Sequence, residues 1–231
     1  MFPRNKYLLA VIALCFSIFV QSCAKDDGVG PENLNSDSFS GIAAFNAIEG
    51  TSNLQLLIDG KLINKDDENF STGGYLNHRT LFPGKRSLEL KTTKGAVLYA
   101  TEKVFQSPKI YSYFFYGNNK EPLVTEDDVI KPETGKMKIR LVNLVSDTKL
   151  QLEFKYLNSK LSHNLEDRVY GFNEYSSKED FKFEITSTDQ KYDNIEINLA
   201  GKERSVFSIV LYSEQQTNVE KKEIKYKILE L

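Results

Sequence analysis

The chain has 231 residues, with 30 basic against 32 acidic side chains, no tryptophan and only two cysteines. So even a balance excludes a polybasic nucleic-acid or membrane surface as the main interaction, and two cysteines exclude a disulfide framework. The first element in chain order is a leader. Arg4 and Lys6 precede a charge-free run of 14 residues from Tyr7 to Val20, shorter than the roughly 20 residues a membrane-spanning helix needs. It reads as the apolar region of a secretory signal peptide spanning residues 1–22, removed on maturation.

The run ends in "VQSC", which resembles the lipobox of bacterial lipoproteins. The resemblance implies that Cys23 becomes the first residue of the mature chain and carries acyl groups, each buried CH₂ contributing about 0.8 kcal/mol. The plain alternative is an ordinary signal or short anchor with an incidental cysteine. The following "AKDD" is similar to the acidic export signal of surface-exposed lipoproteins of the Bacteroidetes type, with Lys25, Asp26 and Asp27 as its carriers. Together they imply an outer-membrane protein, held by its acyl anchor and facing the exterior. Loss of residues 1–22 discards Cys15 and leaves 28 basic against 32 acidic residues. Residues 23–40 then form the lipidated cysteine and a tether rich in Gly, Asn, Asp and Ser, whose coil dimension is about 23 Å.

From Gly41 onward apolar residues recur with period two. "NLQLLID" sets Leu54, Leu56 and Ile58 on one face; "SLELKT" sets Leu88 and Leu90 opposite Glu89 and Lys91. "FKFEIT", "NIEINL" and "EIKYKIL" repeat the pattern through Phe181, Phe183, Ile185, Ile195, Ile197, Leu199, Ile224, Tyr226 and Ile228. These are strands buried on one side. In "YSYFFYG", Tyr111, Tyr113 and Phe115 share one face and Phe114 and Tyr116 the other, so one set is less buried unless both faces are covered.

The pattern also repeats. "AAFNAIEGTSNLQLLIDGK" from Ala43 aligns with "RLVNLVSDTKLQLEFKYLN" from Arg140, placing Asn46 on Asn143. "SLELKTT" at Ser87 aligns with "KFEITST" at Lys182, and "YSYFFYG" at Tyr111 with "VFSIVLYS" at Val206, the offset staying between 95 and 97. The expected fold is all-β, with two tandem immunoglobulin-like antiparallel β-sandwich domains at 41–131 and 136–231, each folding as a unit, joined at "KPETGK". "IRLVNLVSD", "LQLLIDGK" and "LFPGKRSLEL" resemble strands and turns of the bacterial domain of unknown function 4397, whose members are secreted or lipid-anchored proteins with immunoglobulin-like domains. The second copy departs from it, with "SSKEDFKF" in place of the Pro-Gly turn and no Asp-Gly in "EFKYLN". The resemblance implies a fold and no established activity.

Chemistry is sparse in the pattern. His78 and His163 stand in polar stretches away from any nucleophile motif and read as surface histidines. The runs "NKDDEN" (64–69) and "TEDD" (125–128) lack the spacing that wraps Ca²⁺ and read as solvated loops. No metal, cofactor or catalytic residue is expected, and no nucleic-acid partner. Tyr75, Tyr170 and Tyr175 fall in the long connections 60–85 and 157–180, where binding residues gather, and are the candidate contact residues. The expected function is a non-catalytic binding or adhesion module for a glycan or protein; the alternative is an assembly or spacer subunit of an envelope complex, with a hydrolase last.

Overall fold

The computed structural model describes residues 38–117, 121–145, 150–156, 159–164, 168–178, 180–214 and 223–231. The leader, Cys23, Lys25, Asp26 and Asp27 lie outside the described residues. Sixteen strands run through the rest, eight in each half of the repeat. The first half contains β1 (Ser40–Ala47), β2 (Gln55–Ile58), β3 (Lys61–Leu62), β4 (Gly74–Leu81), β5 (Gly84–Lys91), β6 (Val97–Phe105), β7 (Ile110–Tyr116) and β8 (Leu123–Glu126). The second contains β9 (Lys136–Asn143), β10 (Leu150–Tyr156), β11 (Ser159–Asn164), β12 (Val169–Ser176), β13 (Phe181–Ser187), β14 (Ile195–Leu199), β15 (Val206–Ser213) and β16 (Ile224–Glu230).

Each half folds into two four-stranded sheets of the same order. Sheets β4-β1-β7-β8 and β3-β2-β5-β6 make the first sandwich; β12-β9-β15-β16 and β11-β10-β13-β14 make the second. Pairing is antiparallel except for β1 with β7 and β9 with β15, which run parallel. A parallel neighbour requires a long crossover, and the strands between each pair supply it by passing through the opposite sheet. Local chemistry agrees with this path. Asp59 and Gly60 both take positive φ, 49° and 73°, the two-residue turn that suits the right-handed twist of the β2–β3 hairpin. Asn46 and Asn143 play the same part in each half: each side-chain carbonyl accepts the backbone N–H two residues on, from Ile48 and Val145.

The structure corrects the repeat alignment at one strand. Ala44 pairs with Tyr113 and Leu141 with Ile209, so with Asn46 on Asn143, Tyr111 corresponds to Phe207 rather than Val206. A slip of one residue exchanges the two faces of a strand. In the observed register Ser112 falls on Ser208 and Tyr116 on Tyr212, identical residues that the shifted alignment separates.

Three buried clusters hold the molecule. One fills the first sandwich with Leu54, Leu56, Leu88, Leu90, Tyr111, Tyr113 and Phe115 among others. A second fills the other with Ile139, Leu141, Phe181, Ile185, Ile197, Ile209 and Leu211 among others. The third belongs to both halves: Phe45, Ala47 and Phe114 of the first meet Val142, Leu144, Val210, Tyr212 and Leu229 of the second. The outer faces of β1 and β7 are therefore covered, which is why every residue of β1 and of β15 is buried, and why both aromatic sets of "YSYFFYG" lie inside. The expectation of self-contained halves gives way to a shared layer, and residues 39–231 form one compact unit. Each large apolar side chain in that layer contributes about 1.5–3 kcal/mol relative to exposure.

Candidate functional site

The most concentrated chemistry lies at the margin of the shared layer. Along β9, Ile139 and Leu141 point into the second sandwich and Arg140 therefore points out, toward the first. Its side chain is 2% exposed and its Nη1 donates to Asp127 Oδ1 at 2.7 Å; the Asp127 side chain is fully buried. Burial alone would raise the Asp127 pKa. The bond to His78, the Arg140 charge and the Ser112 hydroxyl outweigh it and hold the carboxyl below its ordinary value. Ser112 Oγ donates to Asp127 Oδ2 at 2.6 Å, His78 Nε2 lies 3.1 Å from the same oxygen, and Arg140 Nε donates to Ser208 Oγ at 3.1 Å. Arg140 Nη1 also reaches Thr125 Oγ1 at 2.8 Å, and the guanidinium sits 4.6 Å over the Phe172 ring.

A β-bulge aims these groups. Between β1 and β4 the register shifts so that Asn77 and His78 together oppose Ala43. Between β9 and β12 it shifts at the corresponding place, so that Gly171 and Phe172 oppose Arg140. An extra residue on one strand turns its side chain out of the regular alternation, toward the Arg140–Asp127 pair in both cases. His78 thus lies in a strand against a buried carboxylate, which corrects its reading as a surface loop histidine. Asp127 corrects the reading of "TEDD" as a solvated loop. His163 lies on β11.

Histidine, serine and aspartate meet here, but not in an order that activates a nucleophile. The Ser112 hydroxyl donates to the carboxylate, not to an imidazole, and Ser112 is 3% exposed; a hydroxyl nucleophile needs its base within hydrogen-bond reach and a path for substrate. The group is a polar clamp between the sandwiches. In "NKDDEN", Asn64 binds the backbone of Leu54 and Leu56, and Glu68 forms an ion pair with Arg79. No three His, Cys, Asp or Glu side chains gather among the described residues.

The three candidate tyrosines occupy strands, which corrects their placement in connections. Tyr75 lies in β4 and packs against the shared layer. Tyr170 and Tyr175 lie in β12 and pack against the core of the second sandwich. Burial pushes the hydroxyl pKa of Tyr75 and of Tyr175 well up, so neither presents an ionisable phenol. The structure does not bring the three together. Tyr175 alone lines an open groove, of about 580 Å³, with Thr134, Lys136, Glu174, Lys178 and Glu203. Its ring is seated edge-on against Phe181 at 4.8 Å. Glu203 accepts the Gly135 N–H at 2.9 Å and Lys136 pairs with Glu174 at 3.1 Å, so the groove has an aromatic wall and a fixed polar rim. Arg140, Ser112 and the clamp as a whole escaped the sequence reading. The signal was present in "IRLVNLV", where one cation interrupts a run without alternation, the mark of a strand covered on both faces.

No characterised protein matches the chain in sequence. Among solved structures, a family 26 carbohydrate-binding module of Eubacterium rectale Amy13K, in complex with maltoheptaose, matches with 12% identity over 84% of this chain and 97% of its own, at a TM-score of 0.26. A candidate cell adhesion protein of Bacteroides fragilis matches with 8% identity over 81% of this chain and 86% of its own, TM-score 0.25. A leucine-rich repeat protein of Bacteroides thetaiotaomicron matches with 10% identity over 80% of this chain and 26% of its own, TM-score 0.19. The match to a family profile covers the first sandwich, crosses the junction and ends at the start of β10, before the turns of the second copy that lack Asp-Gly and Pro-Gly. Residues 40–150 match the model of the family described as Domain of unknown function (DUF4397).

Proposed function

We propose that this protein is a non-catalytic binding module, held at the outer membrane by acyl groups on Cys23, carried outward by the signal at Lys25, Asp26 and Asp27, and recognising a glycan or protein with its second sandwich. The observation that carries the reading is the division of labour in the fold. The only Ser–His–Asp grouping among the described residues is spent on joining the sandwiches, while the groove beside Tyr175 is open and lined by charged groups, Lys136 and Glu174 on β9 and β12 and Lys178 and Glu203 on neighbouring turns. An aromatic wall with carboxylates and amines at its rim suits a sugar face or a polar peptide segment.

The mature protein should be screened on a glycan array and used to capture partners from intact envelopes. Exchanging the rim charges in the double variant Glu174→Lys, Lys178→Glu should weaken capture about tenfold or more with an unchanged melting temperature. Hydrolysis of an arrayed glycan, abolished by changing one carboxylate, would overturn the reading. For the anchor, labelling with a palmitate analogue should disappear in Cys23→Ala, and protease added to intact cells should digest the wild type but spare a variant with Ala at 25–27.

A further inference from the structure

Among the described residues the three most exposed large apolar side chains, Ile130 at 75%, Phe82 at 64% and Val104 at 56%, lie at one end of the first sandwich, and Val97 at 55% lies at the other. Strand pairing fixes their placement. Ser40 pairs with Leu81, Gly41 with Ile110 and Tyr111 with Glu126, so the β4–β5 turn with Phe82, the entry to β1 and the exit of β8 toward Ile130 follow one another across one sheet edge. Val104 pairs with Lys85 at the start of β5 in the facing sheet. Phe39 stands at the entry to β1, with its ring 5.7 Å from that of Phe82.

The same end receives the chain from Cys23. Sixteen residue steps separate Cys23 from Phe39, a reach of at most about 55 Å and about 23 Å at coil dimensions. The other end of the sandwich, at the β5–β6 turn with exposed Lys94, lies one β5 length further on, roughly 25 Å. Three cations at this end have acidic partners: Arg86 pairs with Asp59, Lys85 with Glu102 and Lys109 with Glu126.

We infer that this end of the first sandwich rests on the lipid surface in which the Cys23 acyl groups are inserted, with Phe82 and Ile130 reaching into the headgroup boundary. The inference rests on the proposed anchor and adds to it an orientation: this end of the first sandwich faces the lipid, and since Lys138 of β9 meets Asp128, the Tyr175 groove at the start of β9 opens toward the same side. Aromatic and aliphatic side chains on a short turn are what such a boundary accepts. Since Lys85, Arg86 and Lys109 each have an acidic partner, the apolar side chains rather than these cations carry the contact.

The chain has no tryptophan, so Phe82→Trp, Ile130→Trp and Lys94→Trp each introduce a single indole that can be excited apart from the tyrosines at the red edge of absorption. Each full-length, processed lipoprotein is reconstituted into phosphatidylcholine vesicles with brominated acyl chains. Emission from Phe82→Trp and Ile130→Trp should move to shorter wavelength and be quenched about twofold or more, while Lys94→Trp stays unquenched. Adding 20% anionic lipid or 0.5 M salt should change neither. Equal quenching at all three positions, or none at 82 and 130, overturns the orientation while mass spectrometry of acylated Cys23 leaves the anchor standing. An unacylated Cys23 overturns both. A blue shift that appears without vesicles and grows with protein concentration assigns the surface to a second copy and also overturns the proposal.

Discussion

The shared layer contains two corresponding places that are filled in opposite ways. On one, Arg140 of β9 meets Asp127, the residue that follows β8. Ala43 of β1 and Leu231, the residue that follows β16, hold the matching positions in the other copy. The match is structural as well as serial: Asp127 N–H donates to Ile110 O and Leu231 N–H to Val206 O, the same bond at the same step of the ladder. One slot carries a buried ion pair and the other two apolar side chains. The same step of the backbone thus holds a charged residue in one copy and an apolar one in the other. The ion pair makes the two faces of the layer different.

The comparison breaks most severely if the charge is moved to the wrong slot. Ala43→Arg places a second guanidinium in a buried position, 2% exposed, next to Ser112 and His78, whose bonds to Asp127 it would crowd while a single carboxylate faced two buried cations, and should cost about 5 kcal/mol or more, seen as loss of a cooperative melt. Next comes removal of one partner. Asp127→Asn leaves Arg140 buried and uncompensated and should cost about 3–5 kcal/mol, lowering the melting temperature by about 6–20 °C. Because the folded Asp127 carboxyl is held below its ordinary value, its contribution is present above about pH 4 and is lost as pH falls through the folded value. The gap between wild type and Asp127→Asn should therefore narrow in melts taken from pH 5 down to pH 2.

Copying the apolar slot into the polar one should be milder. The double variant Asp127→Leu, Arg140→Met should lie within about 2 kcal/mol of wild type and above either single substitution, a coupling that a double-mutant cycle measures. If the pair enforces a single closure, that variant should also show broader amide resonances along β1 and β9. The smallest effect belongs to the pair outside the layer: Lys138 meets Asp128 at 2.7 Å with the carboxylate 46% exposed, and Asp128→Asn should cost about 1 kcal/mol or less by urea denaturation.

How far the sequence revealed this depends on which face of a strand is asked about. Alternation located Leu54, Leu56, Leu88, Leu90 and Ile197, because one side of β2, β5 and β14 is wet and the contrast is visible. It was silent for β1, β7, β9 and β15, which are covered on both sides, so that an outward Phe45 or Val142 looks no different from an inward Ile42 or Leu141. The same silence allowed the one-residue slip at β7, since neither face offered a polar rhythm to fix the register. Tyr226 shows the converse: it keeps the rhythm of β16 yet is 41% exposed, while Leu229 on the other face is buried in the shared layer. The clamp was hidden for a different reason. Asp127 and Arg140 are near in sequence but belong to different sandwiches; each sheet surrounds its own member, Asp127 with His78 and Ser112 and Arg140 with Ser208, and only the docking of the two joins them.

The parallel pairing of β1 with β7 bears on how the molecule carries load. A pull on the chain at Phe39 acts along the axis of β1, whose ladders to β4 and β7 lie side by side with the direction of force. In that geometry the hydrogen bonds resist together and cannot open one after another as at the end of a hairpin. Under the proposed anchor and ligand groove, force between them would enter the fold through β1, a strand hydrogen-bonded on both sides along its length.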